Sequence, residues 1–220
     1  GLRDVAGGLL EDGEAPAEPA AAEESSAPGS VAELMTQLTD TAHGVAVRRV
    51  GAGRYIAYLP GPDGVTPGRL RLVGGDATPY ADQVVQAIER AVDGDQGAHV
   101  MLVGAAQGGV TAAEVAASAH SSAFVVDQVV TAGAPSAHVP RIPETTRVLS
   151  LEDRSDPVAL LGSLINAGAS NRVTVVFDAD RTTGPGVYVA GGRAADRAGH
   201  PELRAEIARI QELGYLAAPA

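Results

Sequence analysis

The sequence has no cysteine, no lysine and no tryptophan, and only 3% of its 220 residues are aromatic. The missing cysteine excludes disulfide bonds, thiolate catalysis and zinc sites built on cysteine. Because hydrophobic residues still make up 45% of the chain, a core must be built from valine, leucine, isoleucine and alanine. Those residues suit a buried parallel sheet covered by alanine-rich helices.

Positive charge is also scarce. Sixteen basic residues, all of them arginine, stand against 27 acidic ones, and the net charge is −11. Proteins that bind phosphates need a basic face, so this balance argues against nucleic acids and anionic membrane surfaces as partners. No apolar run approaches the roughly 18 residues of a membrane span. The composition leaves the cellular compartment open.

The beginning of the chain is rich in alanine, glutamate and proline. Residues 1–29 are predicted to be a disordered acidic tail or linker, because low hydrophobicity and like charges cannot bury enough surface to order a segment. We expect it to lead to a further N-terminal region or to bind a protein partner. Ser30 and Glu33 have the spacing of a capping box and predict the start of the first helix. A single domain is therefore expected over residues 30–215, followed by a short tail at 216–220.

Apolar strands alternate with helical patterns through this domain. Strands are predicted at 45–50, 54–59, 99–103, 125–130, 147–151 and 173–177, and helices at 79–92, 108–119, 186–196 and 201–213, besides the one at Ser30. The first two strands are joined by Gly51-Ala52-Gly53, a hairpin signal. The alternation predicts an α/β fold, a mostly parallel sheet with helices on both faces. In such sheets ligands bind at the carboxyl ends of the strands.

One strand end carries the spacing of a nucleophile elbow. Gly104-Ala105-Ala106-Gln107-Gly108 follows an apolar strand and precedes an alanine-rich helix. An elbow of the Gly-x-Ser-x-Gly type presents its central serine above the sheet. Here the central residue is Ala106, which has no hydroxyl.

Five motifs at strand ends resemble, in this order, a lipase/esterase-like branch of the α/β-hydrolase family that has members in high-GC bacteria. They are Leu59-Pro60-Gly61, Val103-Gly104-Ala105-Ala106-Gln107-Gly108-Gly109, Thr131-Ala132-Gly133-Ala134-Pro135, Asp156-Pro157-Val158 and Gly184-Pro185-Gly186-Val187-Tyr188-Val189. The resemblance covers about residues 30–195 and implies an α/β-hydrolase-like three-layer sandwich.

The resemblance also implies which positions form the catalytic triad. The family's nucleophile falls on Ala106 and its general base on Gly184, and neither residue has a functional group. The acid that orients the base falls on Asp156, which is present.

Two backbone N–H groups form the family's oxyanion hole. One falls on Gln107, the residue after the nucleophile, and the other near Gly61 or Pro62. If Pro62 is the second position, that donor is lost, because proline has no N–H.

Other residues near the strand ends remain candidates. The cleft is expected to include Ala105, Pro135, Ser136 and His138. His138 or His200 is the alternative base.

Other hydroxyls and carboxylates offer further chemistry. Thr111, Ser136 and Ser155 are alternative nucleophiles, although such hydroxyls commonly cap helices and form turns. Glu152, Asp153 and Asp156 could do acid–base work or bind a metal, but no second ligand cluster accompanies them. We therefore expect neither a metal nor a cofactor.

These residues predict a hydrolase-like domain that is catalytically inactive and acts as a binding or structural module. Its cleft would hold at most a small ester-like or carbonyl ligand. The alternative is a carboxylic-ester hydrolase whose nucleophilic serine has been replaced by Ala106.

Overall fold

A computed structural model describes residues 22–65, 78–118, 121–134, 142–157 and 169–219. Its elements are β1 (Glu23–Glu24), α1 (Val31–Asp40), β2 (Gly44–Gly51), β3 (Arg54–Gly61), α2 (Thr78–Ala91), β4 (Ala98–Ala105), α3 (Gln107–Ala117), β5 (Phe124–Ala132), β6 (Arg147–Asp153), β7 (Arg172–Phe177), α4 (Gly186–Arg197) and α5 (Pro201–Glu212). The predicted strands and helices are all present, with ends shifted by one or two residues in most cases.

The strands form one seven-stranded sheet whose spatial order is the same as their order in the chain. From β3 to β7 every neighbouring pair is parallel, and β2 is antiparallel to β3. The predicted α/β class, with its mostly parallel sheet and its β2–β3 hairpin, is confirmed.

Alternate side chains of the strands feed two cores on opposite faces of the sheet. One core joins α2 and α3 to residues such as Leu102 and Val129. The other joins α1, α4 and α5 to residues such as Met101 and Val130. The helices α2 and α3 connect β3 to β4 and β4 to β5. Right-handed crossovers that advance in one direction place their helices on one face. The other face is covered by α1, which precedes β2, and by α4 and α5, which follow the last strand.

The first helix begins where the capping box predicted. The Glu33 N–H donates to Ser30 Oγ at 3.1 Å, but the Glu33 carboxylate accepts from the Gly29 N–H at 2.7 Å rather than from Ser30. A second cap comes from α4, since the Asp196 carboxylate accepts from the N–H groups of Val31 and Ala32 at 2.9 and 3.0 Å. An acidic group at a helix N-terminus satisfies free N–H groups there.

The two predicted tails need correction. The acidic tail was expected to reach residue 29, yet Glu23 and Glu24 form β1 and Pro28 is buried. At the other end, Leu216 is 2% exposed, and the Ala217 N–H donates to the Pro28 carbonyl at 2.8 Å. A local sequence pattern does not reveal this contact, because the segment around Pro28 and the segment around Ala217 stabilise each other.

Candidate functional site

The junction between β4 and α3 has an unusual backbone. Ala106 has φ 49° and ψ −120°, and it is the residue before the first turn of α3. Among described non-glycine residues only Ala106 and Asp180 have positive φ. Such a conformation costs about 1–3 kcal/mol and persists only where surrounding contacts fix it. Here the Ala106 N–H donates to the Ala132 carbonyl at 2.9 Å, and the Ala106 carbonyl accepts from Gly109 and Val110.

Three glycines allow the strand, the turn and the helix to approach one another. A Cβ on Gly104 would lie 2.4 Å from the Gly108 carbonyl oxygen, and one on Gly108 would lie 1.9 Å from the Leu59 carbonyl oxygen. A Cβ on Gly109 would lie 2.7 Å from the Ala134 Cβ. Because two of these contacts are with backbone atoms, they cannot be relieved by a side-chain rotation. The glycines thus fix the tight strand–turn–helix path that places Ala106 at the carboxyl edge of the sheet.

The end of β3 lies directly against this turn. A Cβ on Gly61, whose φ is 97°, would lie 3.3 Å from the Gly108 nitrogen. The structure therefore brings the two predicted halves of an oxyanion hole together. The Gly61 N–H, however, donates to the Tyr80 hydroxyl at 3.1 Å, and that hydroxyl donates to the Gly44 carbonyl at 2.8 Å. The Gly61 N–H is already engaged, and Pro62 has none to offer.

Gln107 keeps the other half of the predicted oxyanion hole. It is the first residue of α3, and its side chain is exposed. The first N–H groups of a helix have no acceptor within the helix, and the helix dipole adds partial positive charge at this end. Gln107 therefore offers a donor beside the Ala106 methyl group.

Asp156 lies in the turn after β6, close to two other ionisable groups. The turn is closed by the Asp156 N–H, which donates to the Asp153 carbonyl at 3.0 Å. Burial raises the pKa of Tyr188 to about 12, and the negative charges of Asp156 and Glu152 contribute. Asp156 is therefore near the Tyr188 phenol of α4, as expected if the two loops border one cleft.

Gly184 lies in the loop between β7 and α4, with φ 72°. A Cβ there would meet no atom of the described residues within 4 Å, but the positive φ would strain any side chain at this position. One turn further, the Tyr188 ring packs at the end of β5, where its Cε1 atom would be 3.1 Å from a Cβ on Gly133. The start of α4 is thus tied to the strand end next to Ala106, whose N–H already binds β5.

The sequence interpretation gave Glu152 no buried role. Its side chain is 1% exposed, and burial, followed by the charge of Asp156, raises its pKa to about 8, while Arg172 acts in the opposite direction. Its Oε2 atom has no hydrogen-bond partner in the described part of the chain. The sequence did contain a signal for the burial of Glu152. Ser150 and Glu152 alternate with Leu149 and Leu151 along β6, so two polar side chains share one face of a buried strand.

The other candidates are placed less favourably or not at all. Pro135, Ser136 and His138 lie outside the described residues, as does His120. His200 precedes α5 and is exposed. The Thr111 hydroxyl donates to the Gln107 carbonyl at 3.2 Å, and the Ser155 hydroxyl donates to Asp153 at 2.6 Å. Both hydroxyls therefore serve the local backbone or turn.

A histidine–aspartate pair lies at the amino edge, the opposite end of the strands. His99 Nδ1 is 3.0 Å from Asp127 Oδ2, and the Tyr215 hydroxyl donates to the other carboxylate oxygen at 2.6 Å. His99 is paired in register with Arg54, the first residue of β3. His99 and Ala106 therefore lie at opposite ends of β4, and the pair is distant from the turn by the length of that strand.

Within the described ranges, no three acidic or histidine side chains converge in a way that could hold a metal ion. None of the helices seen in those ranges combines the length and apolarity needed to cross a membrane.

No known protein family, characterised protein or solved structure matches this chain.

Proposed function

We propose that this chain is an α/β-hydrolase-like domain that has lost its catalytic groups and acts as a binding or structural module. The observation that carries the proposal is the backbone of Ala106. A strained non-glycine residue at a strand-to-helix turn is the arrangement that presents a nucleophile in this type of hydrolase. Here the same strain presents a methyl group.

The base position and the second oxyanion position favour a general loss of catalysis rather than a single change at Ala106. Position 184, where the resemblance puts the base, is a glycine with open space around its Cα. The second oxyanion donor is engaged by Tyr80 or absent at Pro62. Since the members of a triad act as a unit, removing the nucleophile alone would already abolish most catalysis. The additional losses of the base and of the second oxyanion donor indicate that this site no longer needs to catalyse ester hydrolysis.

The groups that remain favour binding of a small ligand. The Gln107 N–H at the start of α3 suits a carbonyl oxygen or an anion. The phenol of Tyr188 and the carboxyl groups of Asp156 and Glu152 lie near one another at the same carboxyl edge of the sheet. A small ester-like or carbonyl compound matches the single backbone donor at Gln107.

A second candidate is a carboxylic-ester hydrolase whose serine has been replaced by Ala106. The retained strain favours it, because a decaying site would gain stability from glycine at position 106. In that protein Asp156 would act with a base supplied by His138 or His200. A serine codon at position 106 of the natural gene would decide for this candidate.

An ester assay separates the two. Short-chain nitrophenyl esters are offered to the unaltered chain, to Ala106→Ser and to Ala106→Ser with Gly184→His. Loss of both groups predicts turnover above buffer in the double variant only, since Gly184→His puts an imidazole where the resemblance implies the base, although the positive φ there makes the substitution strained. Turnover by Ala106→Ser alone would show that a base survives elsewhere and would support the ester hydrolase.

A further inference from the structure

The outer edge of β2 is covered over only part of its length. In the described chain β1 contributes two residues, which pair in parallel with Arg48 and Arg49. The Ser25 N–H adds one more hydrogen bond, to the Arg49 carbonyl at 3.0 Å. On this edge, the described residues provide no strand partner for Val45 to Val47. An open edge of this kind is a template for pairing with another extended chain.

The charges of the β2 side chains determine which segment can pair with this edge. Glu23 binds Arg48, and Glu24 binds Arg49 with an N–O distance of 2.9 Å. Since neighbouring residues of a strand point to opposite faces, one ion pair lies on each face of the sheet. Two consecutive arginines on the edge strand therefore specify two consecutive acidic residues in whatever lies beside it.

The segment that occupies the edge is weakly held. The Glu23 and Glu24 side chains are 75% and 77% exposed, and surface ion pairs of this kind contribute little to stability. The chain is fixed again only from Pro28 onward, where Pro28 is buried and its carbonyl binds Ala217. Ser25 and Ser26 between these points are exposed. Displacing the segment therefore breaks two exposed ion pairs, its backbone hydrogen bonds to β2 and the packing of Ala22 against the core.

We propose that the β2 edge is a docking site for an extended acidic peptide of a partner protein, and that Glu23 and Glu24 occupy it as an internal competitor. A peptide with two adjacent acidic residues would add a strand parallel to β2, with backbone hydrogen bonds for affinity and Arg48 and Arg49 for specificity. The tethered segment competes at a high effective concentration, so docking is held back until the segment is displaced. This surface does not depend on the function proposed for the elbow.

The test uses the full chain and a synthetic peptide with the sequence of residues 20–27, which contains Glu23 and Glu24. Binding is followed by amide chemical shifts of the isotope-labelled chain. The Glu23→Ala, Glu24→Ala double variant is expected to bind the peptide at least tenfold more tightly than the unaltered chain, with shifts centred on Val45 to Gly51. The variant Asp82→Ala, Glu212→Ala removes the same charge at two exposed positions elsewhere and should behave as the unaltered chain.

A charge reversal tests specificity. Adding Arg48→Glu and Arg49→Glu to the double variant should abolish binding of the acidic peptide and transfer preference to a peptide with two lysines at the glutamate positions. Equal affinity of the acidic peptide for the unaltered chain and the double variant would overturn the proposal, as would shifts at other residues or no binding to the double variant. Dimerisation of the double variant through the same edge without peptide would also overturn it, because the occupant would then be a second copy.

Discussion

The two ends of the parallel sheet carry different features, a strained turn at the carboxyl edge and a histidine–aspartate pair at the amino edge. The carboxyl edge has the backbone, with the strained turn at Ala106 and three closely packed glycines, but no hydroxyl at the turn and no imidazole at Gly184. The amino edge has a His99–Asp127 pair. This pair lies near the beginnings of two ordinary strands, where there is no such turn. Functional groups and the geometry that would use them are thus on opposite edges.

This difference shows that neither a backbone motif nor a side-chain pair defines a catalytic site alone. The amino-edge pair serves packing, because Asp127 also binds Tyr215 and so fixes the last described turn of the chain to β5. The carboxyl-edge turn keeps its shape because its glycines hold the helix on the sheet. Substitutions at the two edges should therefore change stability through different causes.

The largest effect is expected at the carboxyl edge from Gly108→Ala. Its new Cβ would lie 1.9 Å from a backbone oxygen, so the helix must shift and the free energy of unfolding should fall by about 3 kcal/mol. Urea unfolding measures the change. The control is Gly199→Ala, whose Cβ meets nothing within 4 Å and should leave stability almost unchanged. A tolerated Gly108→Ala would contradict the close approach of α3 to β3.

At the amino edge, Tyr215→Phe should lower the free energy of unfolding by about 2 kcal/mol, since a hydrogen bond to the partly buried Asp127 carboxylate is lost. A double-mutant cycle with Asp127→Asn isolates the contact from the general effects of each change. A coupling energy near zero would show that the Tyr215–Asp127 contact does not hold the C-terminal turn.

The buried carboxyl of Glu152 predicts a dependence on pH. Its pKa is about 8 in the folded chain, against 4.5 for an ordinary glutamate. The folded state therefore keeps a proton that the unfolded state releases, and the stability present below pH 4.5 is lost as the pH rises towards 8. Glu152→Gln stays neutral, so its stability relative to the unaltered chain should improve by at least about 1 kcal/mol between pH 5 and pH 8. Unfolding curves at both pH values measure this, and a constant difference would mean that Glu152 titrates normally.

The smallest effect concerns the strain itself. Ala106→Gly should raise the free energy of unfolding by about 1 kcal/mol, because glycine adopts positive φ without the steric cost. Ala105→Gly, one residue earlier at the end of β4, should lower it by at least about 1 kcal/mol, since glycine there adds entropy to the unfolded chain and removes a buried methyl group. If both variants lose stability equally, the turn at Ala106 is not strained.

The sequence was sufficient to predict every described helix and every described strand except β1, as well as the tight turn at Ala106, because hydrophobic periodicity and glycine spacing are local signals. Ser30 marked the start of α1, and Gly104 and Gly108 marked the turn. What it could not supply were contacts between distant segments. Tyr80 reaches Gly61 and Pro28 meets Ala217 only after the sheet has assembled.

The site was predictable to the same extent. The strand order brings the loops of Gly61, Gln107 and Asp156 to one edge, as expected for a parallel sheet. The burial of Glu152 was not predicted, because the charge of a residue at a strand end usually indicates exposure. Which N–H groups are already engaged also depends on side chains from other elements.

The central claim is that the elbow survives without a base to activate a nucleophile, and covalent labelling tests it most directly. The Ala106→Ser variant is incubated with a fluorophosphonate, which reacts with activated serines, and its intact mass is measured. Ala106→Ser with Gly184→His is the comparison for a restored base. The account predicts no adduct on the single variant. A stoichiometric adduct on the introduced serine of the single variant would contradict it, because it would prove that a working base is still present.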